Sequence, residues 1–191
     1  MKNEIFKKDL YRWYGEKGES FKDRIFRPLE IKYLYAFRKV QSSRAFLTRF
    51  WYMFKLWRIY LKSHIQISPK TKIGEGFYIG HFGRIIVNSR ATLGKNINIA
   101  TGVTIGQESR GKRKGVPTIG DNVWIGTNAV IVGNINIGED VLIAPLAFVS
   151  SLIVSFFEQL LTERFMYIFF LSFLLFNITL NNSNGGYSNE N

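Results

Sequence analysis

The chain has 191 residues, enough for one core of ordinary size or one repeat body with a short appendage. It contains no cysteine, which excludes disulfides, thiolate metal ligands and a cysteine nucleophile and fits a cytoplasmic protein. Most of the +12 net charge lies in residues 1–66, where 16 Lys or Arg stand against 6 acidic residues. Such a basic segment suits nucleic acid, an anionic membrane or an acidic substrate. No helix-turn-helix, zinc-finger or RNA-binding signature is present, so we predict no nucleic-acid partner.

Residues 1–66 are predicted to form a basic, aromatic-rich helical arm. Its charged first ten residues do not resemble a secretory signal. Ser42 or Ser43 is a candidate N-cap for a helix over residues 44–62. The aromatic side chains of this helix, interspersed with Arg and Lys, suit either a membrane interface or packing against the first repeat or a neighbouring subunit.

Residues 67–149 contain an internal repeat of six residues. An aliphatic residue opens each of the twelve units, and the next position is Gly or Ala in nine of them. A period of six matches neither an amphipathic helix nor simple strand alternation, and it is typical of a parallel β-helix. The openings are Ile67, Ile73, Ile79, Val87, Leu93, Ile99, Ile105, Ile119, Ile125, Ile131, Ile137 and Ile143.

In such a fold each unit forms a short strand and a turn, and three units form one triangular coil. The opening side chain points into the prism and stacks on its equivalent in the next coil, about 4.8 Å away. Because one unit cannot bury its apolar side alone, the coils stabilise one another as a solenoid. We therefore predict a mainly β protein, a parallel β-helix with an N-terminal α-helical arm.

The repeat is interrupted twice. Ile85 and Ile86 form a two-residue insertion directly after the unit that contains His81. Eight extra residues lie between Ile105 and Ile119 and must leave the prism as a loop. Since a strictly repeating prism offers no pocket, these two interruptions are the places where a site is expected.

Residues 150–191 do not continue the repeat, and they are predicted to be an apolar, helical tail with a polar, disordered end. The uncharged run 165–180 has 16 residues, fewer than the about 20 that span a bilayer. A buried or interfacial helix, a membrane segment and a tail altered by a reading-frame change all fit this pattern. Peripheral membrane contact through residues 1–66 or 150–180 thus remains open.

The stretch 67–149 resembles the serine O-acetyltransferase branch of the hexapeptide acyltransferases. The resemblance lies in segments 67–74, 79–87, 103–106, 117–126 and 131–134. It implies a left-handed β-helix, a homotrimer, and acetyl-CoA as cosubstrate for acetyl transfer to the hydroxyl of a small-molecule or saccharide acceptor.

In that family, a histidine at the position of His81 takes the proton from the acceptor hydroxyl, and a neutral histidine is a competent base near pH 7. A histidine that merely decorates a solvent-facing corner is the alternative. His64, the only other histidine, is predicted to be structural. Two histidines are too few for a three-histidine metal site, so no metal is predicted.

The resemblance also implies a binding surface for CoA. Candidates for the pantetheine arm are the corner residues Gly106, Gly126 and Ala144, although coil geometry alone explains a small residue at each. The candidates for the phosphates are the loop cations Lys112, Arg113 and Lys114, for which a solvated basic loop is the alternative.

Several family features differ in this chain. Gln66, Gly80 and the pair Gly115–Val116 stand where the serine enzymes have groups that grip the amino acid. We therefore expect a sugar or polysaccharide-precursor hydroxyl as acceptor, with a genuine serine O-acetyltransferase of cysteine biosynthesis as the first alternative. The second is an inactive scaffold or membrane-attached structural protein, which the lack of the family's closing segment after Val149 would favour.

Overall fold

The computed structural model of the protein describes residues 4–150. Four α-helices form the N-terminal arm, with a short 3₁₀ helix over residues 15–17. A capping box opens the second helix, where the Ser20 hydroxyl accepts a hydrogen bond from the Asp23 N–H and the Asp23 carboxylate accepts one from the Ser20 N–H. The helices are α1 (Glu4–Tyr14), α2 (Phe21–Ile25), α3 (Leu29–Ser42) and α4 (Phe46–Ser63).

Thirteen short strands follow, and they pair in parallel in three stacked sheets. Sheet A contains β1, β4, β7, β10 and β13, sheet B contains β2, β5, β8 and β11, and sheet C contains β3, β6, β9 and β12. Each sheet forms one face of a triangular prism, so four complete coils are followed by one further strand. The strands are β1 (Ile65–Ile67), β2 (Lys72–Ile73), β3 (Tyr78–Ile79), β4 (Ile85–Val87), β5 (Thr92–Leu93), β6 (Asn98–Ile99), β7 (Thr104–Gly106), β8 (Thr118–Ile119), β9 (Trp124–Ile125), β10 (Val130–Val132), β11 (Asn136–Ile137), β12 (Leu142–Ile143) and β13 (Phe148–Val149).

The six-residue repeat accounts for this architecture. All twelve opening aliphatic residues lie in strands and are buried. They also stack in register, as where Ile79 pairs with Ile99 and Ile99 with Ile125. The predicted fold class, a left-handed parallel β-helix of hexapeptide repeats with an N-terminal helical arm, is confirmed.

A buried ion pair joins the arm to the first coil. The Arg38 guanidinium on α3 contacts the Asp9 carboxylate on α1 at 2.8 Å, and both side chains are almost wholly inaccessible. Arg38 also donates to the carbonyls of Ile73 (2.8 Å) and Gly74 (2.5 Å), while Asp9 accepts the backbone N–H of Phe77 at 2.9 Å. Burial raises the pKa of Asp9, and the bonds from Arg38 act in the opposite direction. Loss of either partner would leave a buried charge unpaired.

A second link runs through Tyr33 on α3. Its hydroxyl donates to the Ile67 carbonyl at 2.7 Å and accepts the Ile67 N–H at 3.0 Å. These two bonds satisfy the outer backbone groups of Ile67 in β1, the first strand of sheet A, which has a partner strand on one side only. The arm therefore caps the open end of the prism.

The boundary between α3 and α4 differs from the sequence prediction. Ser42 is the last residue of α3, Ser43 is its C-cap, and α4 begins at Phe46 after an Ala45 N-cap without a side-chain bond. Within residues 4–150, no helix combines the length and apolar character needed to cross a membrane. The predicted tail helix falls almost entirely outside the described residues.

Candidate functional site

The turn that carries His81 is longer than its equivalents. Five residues, 80–84, connect Ile79 to Ile85, whereas three, 100–102, connect Ile99 to Val103 in the next coil. The prediction that Ile85 and Ile86 are the inserted residues is wrong, since Ile85 and Ile86 pair regularly with Ile65 and Gln66. The two extra residues therefore lie in the His81 turn itself, at the corner between sheets C and A.

Four hydrogen bonds to the backbone of residues 82–85 hold the second half of this turn. The Glu30 carboxylate on α3 accepts the N–H of Phe82 at 2.8 Å, and the Thr101 hydroxyl donates to the Phe82 carbonyl at 3.3 Å. Gly83 donates to the Ser63 carbonyl at 2.9 Å, and Ile85 donates to the His64 carbonyl at 3.3 Å. The arm fixes one side of the turn and the next coil fixes the other.

Gly83 is required for this arrangement. Its φ of 139° is rarely adopted by residues with a side chain, and an added Cβ would overlap the Thr101 hydroxyl. A larger residue would thus displace the Thr101 bond to Phe82. The conformation of the turn and its hydrogen bond to Thr101 in the next coil therefore depend on each other.

The His81 side chain itself is exposed and makes no hydrogen bond or ion pair to another residue in the range 4–150. Gln66, at the position where the serine enzymes have an aspartate, is an exposed residue of β1. The position of the imidazole therefore depends on the backbone of its turn. His64 has a different role, because it ends α4 as a C-cap with φ of 55°.

The second interruption of the repeat forms a basic hairpin between β7 and β8. Glu108 and Gly115 exchange backbone hydrogen bonds of 3.0 and 2.9 Å. The hairpin packs on the following coil, where the Asn134 N–H donates to the Arg113 carbonyl at 2.8 Å. Its cations, Arg110, Lys112, Arg113 and Lys114, are exposed to solvent. Only Arg113 approaches an acid among the described residues, with Glu108 at 3.7 Å.

The three predicted pantetheine contacts do not lie on one corner. Gly126 and Ala144 follow the paired strands β9 and β12, so they stack at the corner between sheets C and A. An added Cβ on Gly126 would come within 2.5 Å of the Pro145 nitrogen, so coil geometry requires glycine there. Gly106 ends β7 and pairs with Val132 in sheet A, at the opposite edge of that sheet.

The topology divides the predicted site residues into two groups within one chain. One group lies at the edge where the strands of sheet A begin, and it contains His81, Gly126 and Ala144. The other lies at the edge where those strands end, and it contains Gly106 and the hairpin with Lys112, Arg113 and Lys114. A three-residue strand separates the edges by about 10 Å. One chain therefore does not bring the histidine and the basic hairpin to the same corner.

Residues 117–151 match the model of the bacterial transferase hexapeptide family, described as six repeats. The fold is similar to that of the serine acetyltransferase of Neisseria gonorrhoeae in complex with serine, at 27% identity and a TM-score of 0.65 over 81% of this chain and 64% of that one. The chain carries the hexapeptide-repeat acyltransferase fold in its serine acetyltransferase-like form.

Two further serine acetyltransferase-like folds extend the comparison. Isoform 3 from Entamoeba histolytica, in complex with cysteine, is 27% identical with a TM-score of 0.63, over 81% of this chain and 56% of that one. The enzyme of Brucella abortus strain S19, in complex with coenzyme A, is 21% identical with a TM-score of 0.66, over 80% and 62%. The hexapeptide-repeat chain thus spans 56% to 64% of the length of these three structures. A sequence comparison with curated proteins finds no match.

Sequence reasoning selected His81 but missed the residues that hold its turn. Glu30 precedes the apolar positions Ile31 and Leu34 on α3, and a single acid there is more often solvated than buried. It is 5% exposed. Thr101 and Ser63 carry no signal at all. An acidic residue on a helix face that is otherwise apolar was the one sign available.

Proposed function

We propose that this protein is an acetyl-CoA-dependent O-acetyltransferase with His81 as its general base and a sugar or polysaccharide-precursor hydroxyl as acceptor. The observation that supports this most is the lengthened, firmly anchored turn that exposes His81 at a corner of a serine acetyltransferase-like prism. A histidine with a free side chain on a rigid turn suits proton transfer, because its geometry is set before the substrate arrives.

The proposed reaction has two proton transfers. An unprotonated ring nitrogen of His81 takes the proton of the acceptor hydroxyl as that oxygen attacks the thioester carbonyl of acetyl-CoA. The tetrahedral intermediate then collapses, the C–S bond breaks, and the imidazolium returns the proton to the departing CoA sulfur. The products are the acetyl ester and CoA with a free thiol. Since the chain has no cysteine, no thioester can form on the protein, and direct transfer from acetyl-CoA to the acceptor is the simpler route.

The separation of His81 from the basic hairpin supports a site shared between subunits. In a homotrimer, the sheet edge with His81 of one chain can face the edge with Lys112, Arg113 and Lys114 of its neighbour. Acetyl-CoA would lie in that cleft, with its phosphates at the hairpin and its thioester at His81. With acetyl-CoA as cosubstrate, we propose that the reaction takes place in the cytoplasm.

The acceptor is inferred from the groups that the chain lacks. Gln66, Gly80 and Gly115–Val116 supply neither the carboxylate nor the basic groups that would bind the ammonium and carboxylate of an amino acid. A neutral, polyhydroxylated acceptor needs neither. Free L-serine is the alternative that the similar structures favour, since two of them at 27% identity are serine acetyltransferases.

The test is a thiol-release assay on the full chain with acetyl-CoA and a panel of sugars, sugar nucleotides and amino acids. The protein adds no background, because it has no thiol of its own. We expect CoA release above the rate of spontaneous hydrolysis with a sugar hydroxyl and little with L-serine. A preference for L-serine would overturn the acceptor assignment and leave the reaction class intact. No release with any acceptor would overturn the reaction class in favour of an inactive scaffold.

A further inference from the structure

Helix α4 presents an unusually apolar surface to solvent. Of its 18 residues only Leu56 and Ser63 are buried. Its rings form two contact series, Phe46 on Phe50 with centroids 6.5 Å apart, and Trp51 on Phe54 on Trp57 at 6.3 and 5.8 Å. These side chains are 41% to 79% exposed in the single chain. An exposed apolar surface of this extent marks a site of association.

A basic cavity of about 460 Å³ lies beside this aromatic surface, between α3 and α4. Five cations and no acid line it, together with Trp51 and Phe54 from the aromatic series. Glu19 neutralises one of the cations, Arg27, at 2.5 and 2.7 Å. The other four, Lys32, Lys55, Arg58 and Lys62, are exposed and have no acidic partner among the residues that the structure describes.

We infer that α4 and this cavity form a docking surface for an anionic lipid membrane. Phe and Trp side chains insert at the level of the lipid headgroups, and Lys and Arg beside them attract anionic headgroups. The helix has no acidic residue, so nothing on it repels such a surface. The inference does not depend on the proposed acetyl transfer.

The charge pattern argues against a second copy of the same face as the occupant. A two-fold contact through α4 would place Lys55, Arg58 and Lys62 opposite the same cations of the partner. Like charges brought together in this way disfavour an interface. A membrane rich in anionic lipid supplies the opposite sign.

The experiment is flotation of the full chain with two sets of vesicles, one of phosphatidylcholine alone and one with about 30% phosphatidylglycerol. Any binding by the apolar tail is expected on both sets. The α4 surface should add binding on the anionic set that is lost at high salt. The test variant is Lys55→Glu with Arg58→Glu, and the matched control is Lys72→Glu with Lys95→Glu, two exposed lysines on the prism.

We expect the test variant to lower partitioning onto anionic vesicles by at least about 10-fold and to leave partitioning onto neutral vesicles unchanged. The control should change the anionic partitioning far less. Equal losses in both variants would show a general charge effect and overturn the proposal. Sedimentation of the same proteins tests whether α4 is a contact between subunits. A change of oligomeric state in the test variant alone would assign the face to a subunit interface and overturn the proposal.

Discussion

The carboxylate of Glu30 accepts a hydrogen bond of 2.8 Å from the backbone N–H of Phe82, the residue that directly follows His81. The two are 52 positions apart in the chain, and Glu30 is 5% exposed. Because the imidazole of His81 has no partner of its own within the described range, this bond is one of the few that determine where it lies.

Glu30 is therefore expected to act as a positioning residue. Glu30→Ala should lower kcat for acetyl transfer about 10-fold with little change in KM, because the turn loses a charge-assisted bond of about 1.5–3 kcal/mol. Glu30→Gln keeps a carbonyl acceptor and should restore most of kcat. If both variants lost thermal stability and activity in parallel, Glu30 would be a purely structural residue.

His81→Ala should reduce the rate of transfer by at least about 10²-fold, the lower range for removal of a general base. Circular dichroism and sedimentation should be unchanged, since the side chain is exposed. The matched control is His64→Asn, which removes the only other histidine and keeps a residue that tolerates the positive φ at that position. Activity near wild type in His81→Ala, or an equal loss in the control, would refute the assignment.

Gly80→Asp should raise kcat/KM for L-serine relative to sugar acceptors. An added Cβ at Gly80 meets only the Tyr78 ring, at 3.4 Å, so the turn has room for the carboxylate that the serine enzymes carry there. A carboxylate beside His81 would attract the ammonium group of the amino acid. Gly80→Asn, of the same size and without charge, serves as the control. Equal effects of Asp and Asn would show that the absence of this charge does not disfavour serine.

Lys112→Ala combined with Lys114→Ala should raise KM for acetyl-CoA about 10-fold and weaken its dependence on salt, if these cations meet the CoA phosphates. Acetylated pantetheine lacks the nucleotide phosphates, so its KM should be the same for wild type and variant. A control in Lys70→Ala with Lys72→Ala removes two exposed lysines of the first coil. An equal rise in KM for acetylated pantetheine would show that these lysines do not recognise the phosphates.

Tyr33→Phe should destabilise the fold by about 1–3 kcal/mol, because it leaves the N–H and C=O of Ile67 without their partner in a buried place. Burial also raises the pKa of Tyr33 above its usual value of 10.0. A raised pKa contributes stability that is complete below about pH 10 and is lost as the pH rises towards the folded-state pKa.

Thermal melts at pH 8 and above pH 10 separate the two effects. The wild-type melting temperature should fall between these values more than that of Tyr33→Phe. Phe37, stacked on Tyr33 with centroids 6.4 Å apart, supplies a control in Phe37→Leu, which keeps the hydrogen bonds and removes ring packing. A larger fall in melting temperature at alkaline pH for Tyr33→Phe than for wild type would contradict the prediction.

The six-residue repeat was enough to predict the prism. Every six-residue unit has a buried aliphatic residue in a short strand, followed in most units by a small residue at the turn. Because equivalent positions stack on one another, this repeat predicts the fold without knowledge of any contact between distant residues. The two interruptions of the repeat also indicated His81 and the basic hairpin as the candidate site, because a strictly regular prism offers no pocket. The resemblance to the serine O-acetyltransferases rests mainly on the His81 segment and the position of this hairpin.

The construction of the His81 turn could not be predicted from the repeat, because it depends on contacts between distant parts of the chain. Ile85, Ile86 and Val87 are all apolar, so the repeat alone does not say which two residues are extra, and the pairing with Ile65 and Gln66 resolves it. The Glu30 bond to Phe82 and the Asp9 pair with Arg38 join residues 52 and 29 positions apart. Such contacts depend on how the helical arm docks on the first coil, and that docking is a property of packed surfaces that no local pattern encodes.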